Sequence, residues 1–158
     1  MQDVINKISS YNLFNYLLPG ILFVVVANSL IPYSFMQEDI VIGFFIYYFI
    51  GLVISRFGSL VIEPVLKKVS FLKFADYKDF IIASRKDSQI DIFSEANNMY
   101  RTFCSMFVLL LLLKIYNYIE NKVSISDHWH IYILILLLLI MFFYSYRKQT
   151  KYIKKELN

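Results

Sequence analysis

Apolar and polar residues are sorted along this chain into long blocks. Leu13 to Ile31 runs without a charge, and Ile40 to Ser55 is a second uncharged block with Arg56 standing at its end. Thr102 to Ile119, broken only by Lys114, and Trp129 to Tyr146 are the third and fourth. A helix needs about 20 largely apolar residues to cross a hydrocarbon core about 30 Å thick, so each block is long enough with little tilt. The pattern predicts an all-α polytopic membrane protein with four transmembrane helices, a helical cytoplasmic loop and a helical tail. A signal peptide fits the first block poorly, because Lys7 gives a thin basic region and no small-residue cleavage site follows Val24 to Ile31.

The polar stretches between the blocks divide the chain into a first membrane hairpin over 1–56, a loop over 57–101, a second hairpin over 102–146 and a basic tail over 147–158. A structureless loop of that length is unusual, so 57–101 is expected to contain helices. Tyr77, Phe80, Ile81 and Ser84 fall at helical spacing, and Ser88 with Asp91 three residues later has the form of a capping box. No Gly or Pro follows Pro64, so the helix starting near Ser88 is expected to run into the third span and reach Ile119, about 48 Å at 1.5 Å per residue. In the tail, Arg147, Lys148, Lys151, Lys154 and Lys155 share one helical face, while Tyr146, Ile153 and Leu157 lie on another.

Charge supplies the direction. Of the 16 basic residues, all but Lys114 and Lys122 lie before the first block, between the second and third, or after the fourth. The connections Pro32 to Asp39 and Glu120 to His128 instead hold Glu38, Asp39, Glu120 and Asp127. By the positive-inside rule both termini and the long loop are expected to be cytoplasmic. Composition agrees: 58% hydrophobic and 18% charged residues, against roughly 45 to 50% and about 25% in soluble domains, exclude an ordinary soluble protein and disorder. Cys104 has no partner cysteine, which excludes a disulfide scaffold; it reads as a small apolar residue in a helix.

Candidate chemistry is sparse. With the spans drawn this way, none contains a carboxylate, so aspartyl membrane proteases, proton-coupled carriers and carboxylate cation sites lose their main support. No glycine-rich phosphate loop, HExxH or GxSxG occurs. Asp127, His128, Trp129 and His130 offer two imidazoles, but helix capping and interface anchoring account for them more plainly, and no metal or cofactor is expected. Arg56 and Lys114 are the cations nearest the hydrocarbon; each is long enough to snorkel, and each is a candidate for a water path that would favour anions. Asn12 and Asn15 share a face with Pro19, where a kink is expected, and Ser94, Asn97, Asn98, Arg101 and Ser105 form a polar stripe running into the third span. These make Asn12, Asn15, Arg56, Asn97, Asn98, Arg101 and Lys114 the pore-lining or gating candidates. Gly51, Ser55 and Ser59, extended by Gly43, form a small-residue row suited to close helix packing. Arg147, Lys148, Lys151, Lys154 and Lys155 are the candidate face for anionic lipid, a polyanion or a partner.

The four spans, short outer turns, helical inner loop and basic tail, with the stretch Asn12-Leu-Phe-Asn-Tyr-Leu-Leu-Pro-Gly-Ile-Leu-Phe23, resemble the small membrane subunits found beside bacterial anti-phage defence genes. The membrane effectors of Hailong and cyclic-oligonucleotide defence exemplify them. The resemblance covers general layout and specifies no ligand-binding residue. It implies an oligomeric channel controlled by a cytoplasmic nucleotide or oligonucleotide signal. The expectation is therefore a homo-oligomeric channel or permeabilising effector, tetrameric by preference, gated from the cytoplasmic side and not an enzyme. The alternative is a non-conducting membrane anchor or sensor recruiting a cytoplasmic partner enzyme. A membrane enzyme using His128 and His130 comes third.

Overall fold

The structure, a computed structural model, describes residues 11–123 and 127–156. Every regular element among them is helical: α1 (Leu13–Leu30), α2 (Ile40–Lys68), α3 (Tyr77–Lys86), α4 (Gln89–Val123) and α5 (Asp127–Glu156). All but α3 are long and apolar enough to cross a membrane. The all-α polytopic architecture follows from the four apolar blocks.

Local chemistry fixes the helix starts. The Asp39 carboxylate accepts from the N–H groups of Val41 and Ile42 at 2.8 and 3.0 Å, capping α2. The helix expected near Ser88 begins at Gln89, and the carboxylate that receives its N–H, at 2.9 Å, is that of Asp87. From there α4 runs for 35 residues, about 52 Å, to Val123.

One boundary departs from the expected pattern, and it traces to proline. Arg56 is not the end of the second helix; α2 continues through Gly58 and Pro64 to Lys68. Proline lacks an N–H, and its ring collides with the carbonyl four residues earlier. The chain accommodates this by widening one turn into a π-turn over Gly58–Ile62, in which the Glu63 N–H reaches back to Gly58 O. The kink expected at Pro19 takes the same form: a π-turn over Leu13–Leu17, with the Leu18 N–H on Leu13 O. Each proline thus stands two residues past a π-turn, and the helix survives it.

Close backbone contact joins α1 to α2. A methyl group added at Gly20 would sit 1.8 Å from Tyr47 O, and one added at Gly51 would sit 1.7 Å from Tyr16 O, so only glycine permits this approach. Ser55 and Ser59 continue the buried row from Gly51. Gly43 is buried too, but its neighbours are Gln37 and the Tyr47 ring of its own helix. Gly58, absent from the expected row, faces Ser105 and Arg101 of α4. Ala27, Ile54, Met106 and Leu110 form the core where α1, α2 and α4 meet, with Phe23, Ile50 and Phe103 packed around it.

The second expected hairpin is an open one. At the acidic end, α5 meets α4 through Tyr116, Glu120 and His130. Farther along, α5 leans on α2, with the Phe49 and Phe142 rings stacked at 6.2 Å. No residue of its apolar stretch is buried, an exposure that lipid tails solvate. The short helix α3 buries none of its residues and reaches α5 through the Tyr77 and Tyr152 rings, 6.3 Å apart.

Gly51→Ala is expected to destabilise the protein in detergent micelles by about 2 kcal/mol or more through overpacking against Tyr16. Gly43→Ala meets only a ring edge at 3.3 Å and is expected to cost less than about 1 kcal/mol. Denaturant titration of both variants, followed by helicity, checks the difference.

Candidate functional site

The longer α2 carries an acid that the sequence-drawn spans excluded. Glu63 is 8% exposed, too little for water to solvate a carboxylate, and a buried charge requires partners. Its Oε1 receives Lys67 Nζ at 2.9 Å from the next turn of α2, and its Oε2 receives Arg101 Nη1 at 2.8 Å from α4. The first pair is an ordinary one-turn contact. The second ties together helices 38 residues apart in sequence, directly beside the close approach of Gly58 to Ser105. One turn back along α2, Lys148 Nζ donates to both Ser59 O and Ser59 Oγ at 2.7 Å, bringing in α5. This contact originates in Pro64. The Glu63 N–H goes to Gly58 O, and the following residue has no N–H, so the Ser59 carbonyl lacks its backbone donor and the lysine supplies one.

The charge at this end is strongly unbalanced. Arg56, Lys67 and Arg101 all act electrostatically on Lys148, and Glu63 is the acid among them. Four cations around one carboxylate give a local charge of about +3, effective where protein and lipid keep the dielectric low. Arg56, Ser59 and Leu60 of α2 face Ser145, Lys148 and Gln149 of α5 across a recess of about 240 Å³, its mouth included.

The structure places the sequence-derived candidates in different surroundings. Arg56, Ser59, Arg101 and Lys148 converge on the basic end. Asn15 is buried there in the α1 π-turn, and its Oδ1 has no hydrogen-bond partner. Asn12 is half-buried and Asn97 exposed, while the Asn98 carbonyl accepts from the Thr102 hydroxyl at 2.9 Å. Lys114 lies at the opposite end, where its Nζ donates to Leu30 O at 2.9 Å and caps the last turn of α1. A cation satisfying an orphan helix carbonyl has a structural task. In the tail, Arg147, Lys151, Lys154 and Lys155 are exposed, and Lys148 leaves that face for Ser59. Sequence reading missed Glu63 and Gly58. The available signals were the Glu63–Lys67 spacing of four and the matching apolar runs before Pro19 and Pro64.

A second cluster occupies the acidic end. Glu120 Oε1 accepts from the Tyr33 hydroxyl at 2.6 Å and lies 3.1 Å from His130 Nε2, and the Tyr116 hydroxyl meets His130 Nδ1. This arrangement engages His130 between α4 and the start of α5. The His128 side chain and Lys7 lie outside the described residues. Among the described residues, no three His, Cys, Asp or Glu side chains gather as a metal would require.

These features define a class, an α-helical multi-pass membrane protein with four long helices, in which an ion pair ties α2 to α4 and a lysine hydrogen bond ties α5 to α2 at their basic ends. Comparison with models of protein families, with characterised proteins and with solved structures finds no match.

Removing Glu63 leaves Arg101 and Lys67 facing each other's charge at a buried site. Glu63→Ala is expected to lower stability by about 3 kcal/mol, and Glu63→Leu combined with Arg101→Met to recover more than half of that. Thermal unfolding in micelles measures both; an unchanged Glu63→Ala would show that the ion pair holds nothing.

Proposed function

We propose that the chain forms a homo-oligomeric membrane channel or permeabilising effector, gated from the cytoplasmic side and preferring anions. The observation carrying this reading is the basic cluster of Arg56, Lys67, Arg101 and Lys148 around Glu63, where the stalk α4, the extension of α2 and the tail of α5 are joined. A ligand or partner that moves α3, the stalk or the tail would pull on membrane helices through these contacts. The basic residues favour an inward orientation of this end, with both termini in the cytoplasm. Such a ring of cations repels cations and attracts anions.

The core where α1, α2 and α4 meet is apolar, which supports conduction between several copies rather than through one, and a tetramer is the preferred number. The extensive exposed apolar surface of α5 is available for lipid or for neighbouring copies. The layout resemblance supports a setting in bacterial anti-phage defence, with a nucleotide or oligonucleotide as the stimulus. A second reading, a non-conducting anchor that recruits a cytoplasmic enzyme, is favoured by Arg147, Lys151 and Lys155, which project from the exposed end of α5.

Protein reconstituted into liposomes is expected to pass chloride more readily than potassium. Lys114→Met is expected to leave that preference unchanged, because Lys114 is occupied with Leu30 O. Absence of flux under every ligand condition, with membrane potential intact during expression, would reject the channel in favour of the anchor.

A further inference from the structure

The recess between α2 and α5 holds more positive hydrogen-bond donors than the fold uses. Arg56 makes no hydrogen bond or ion pair among the described residues, although a guanidinium carries five donors. Ser145 Oγ is buried on the facing wall without a partner. Lys148 gives donors to Ser59 O and Oγ, which leaves one N–H of its ammonium group uncommitted. Among the described residues, no carboxylate lines the recess. The neighbouring acid, Glu63, has its oxygens on Lys67 and Arg101 and makes no hydrogen bond to Arg56.

Depth along the helices narrows the ligand. Arg56 lies about 24 Å along α2 from Ile40, and Ser145 about 27 Å along α5 from Asp127, taking 1.5 Å per residue. Both distances end within about 6 Å of the far edge of a hydrocarbon layer about 30 Å thick, within a long side chain's reach of the lipid headgroups. A planar guanidinium pairs with two oxygens of one tetrahedral anion, and an ammonium and a hydroxyl can serve the others.

We propose that this recess is a binding site for a phosphate group, held by Arg56, Lys148 and Ser145. The group is either the phosphodiester of an anionic lipid or that of a free phosphate-bearing molecule entering from the basic side; the chemistry of recognition is the same. Occupation would brace α5 against α2 beside the ion-paired cluster. The site does not depend on conduction and stands if the protein is an anchor.

Native mass spectrometry of the purified full chain, with phosphatidylglycerol added as one probe and pyrophosphate as the other, tests this. Wild-type protein is expected to retain at least one of the probes. Arg56→Gln is expected to weaken binding about fivefold or more, the effect of one basic residue near an anionic surface. Ser145→Leu fills the recess without changing charge and is expected to weaken binding comparably, whereas Lys73→Gln, in the exposed connection before α3, retains it. Phosphatidylglycerol resisting displacement by pyrophosphate identifies the lipid; displacement, or binding of pyrophosphate alone, identifies a free phosphate. Retention of neither probe overturns the proposal, as does unchanged binding in Ser145→Leu or an equal loss in Lys73→Gln. Helicity and gel filtration verify that each variant is folded, and if Arg56→Gln is not, Ser145→Leu decides the matter.

Discussion

A carboxylate that has lost its water must find opposite charge within hydrogen-bond reach, and in this protein that requirement organises one end of the molecule. Glu63 meets it with Lys67 from its own helix and Arg101 from α4. The Arg101 contact forces α2 to remain helical past the point where its apolar run ends, and it fixes the stalk against that extension. Pro64, one residue later, denies the Ser59 carbonyl its donor, and Lys148 of α5 fills the gap. An acid and a proline side by side thus draw three long helices together.

The opposite end uses the same device more sparingly. The last turn of α1 leaves carbonyls without donors, and Lys114 supplies one at Leu30. Glu120 then gathers Tyr33 and His130, binding the loop after α1 to the start of α5. Between the two ends, α1, α2 and α4 are held by glycine contacts and apolar packing, while α5 stays at the periphery with its side chains toward lipid. Under the proposed function, any wet path must therefore run between copies, and the tethers at the basic end are the means by which a signal would reach it.

Much of the architecture was legible because an uncharged run of membrane length folds as little else than a spanning helix. The four spans, the helix at Tyr77 and the long stalk into the third span all follow from pattern and from the absence of breakers after Pro64. The extent of α2 was not legible, because Gly58 and Pro64 carry the usual marks of a helix end and only tertiary contacts override them. Glu63 was hidden by the same misplaced boundary. The functions of lysines were equally obscure in sequence. Lys114 and Lys148 each donate to a carbonyl on a distant helix, Leu30 O and Ser59 O, contacts that no local pattern announces. Arg56 makes no hydrogen bond or ion pair among the described residues, and its charge faces the recess between α2 and α5.

Everything at the basic end requires α2 to be a single helix pinned past its apolar run. Hydrogen–deuterium exchange of the chain in lipid nanodiscs reads this directly, since a paired helix protects its amides and a loop does not. Protection over residues 58–68 close to that of the preceding part of α2, falling off only beyond Lys68, is the result the ion-paired extension predicts. Rapid exchange beginning at Gly58 would contradict it.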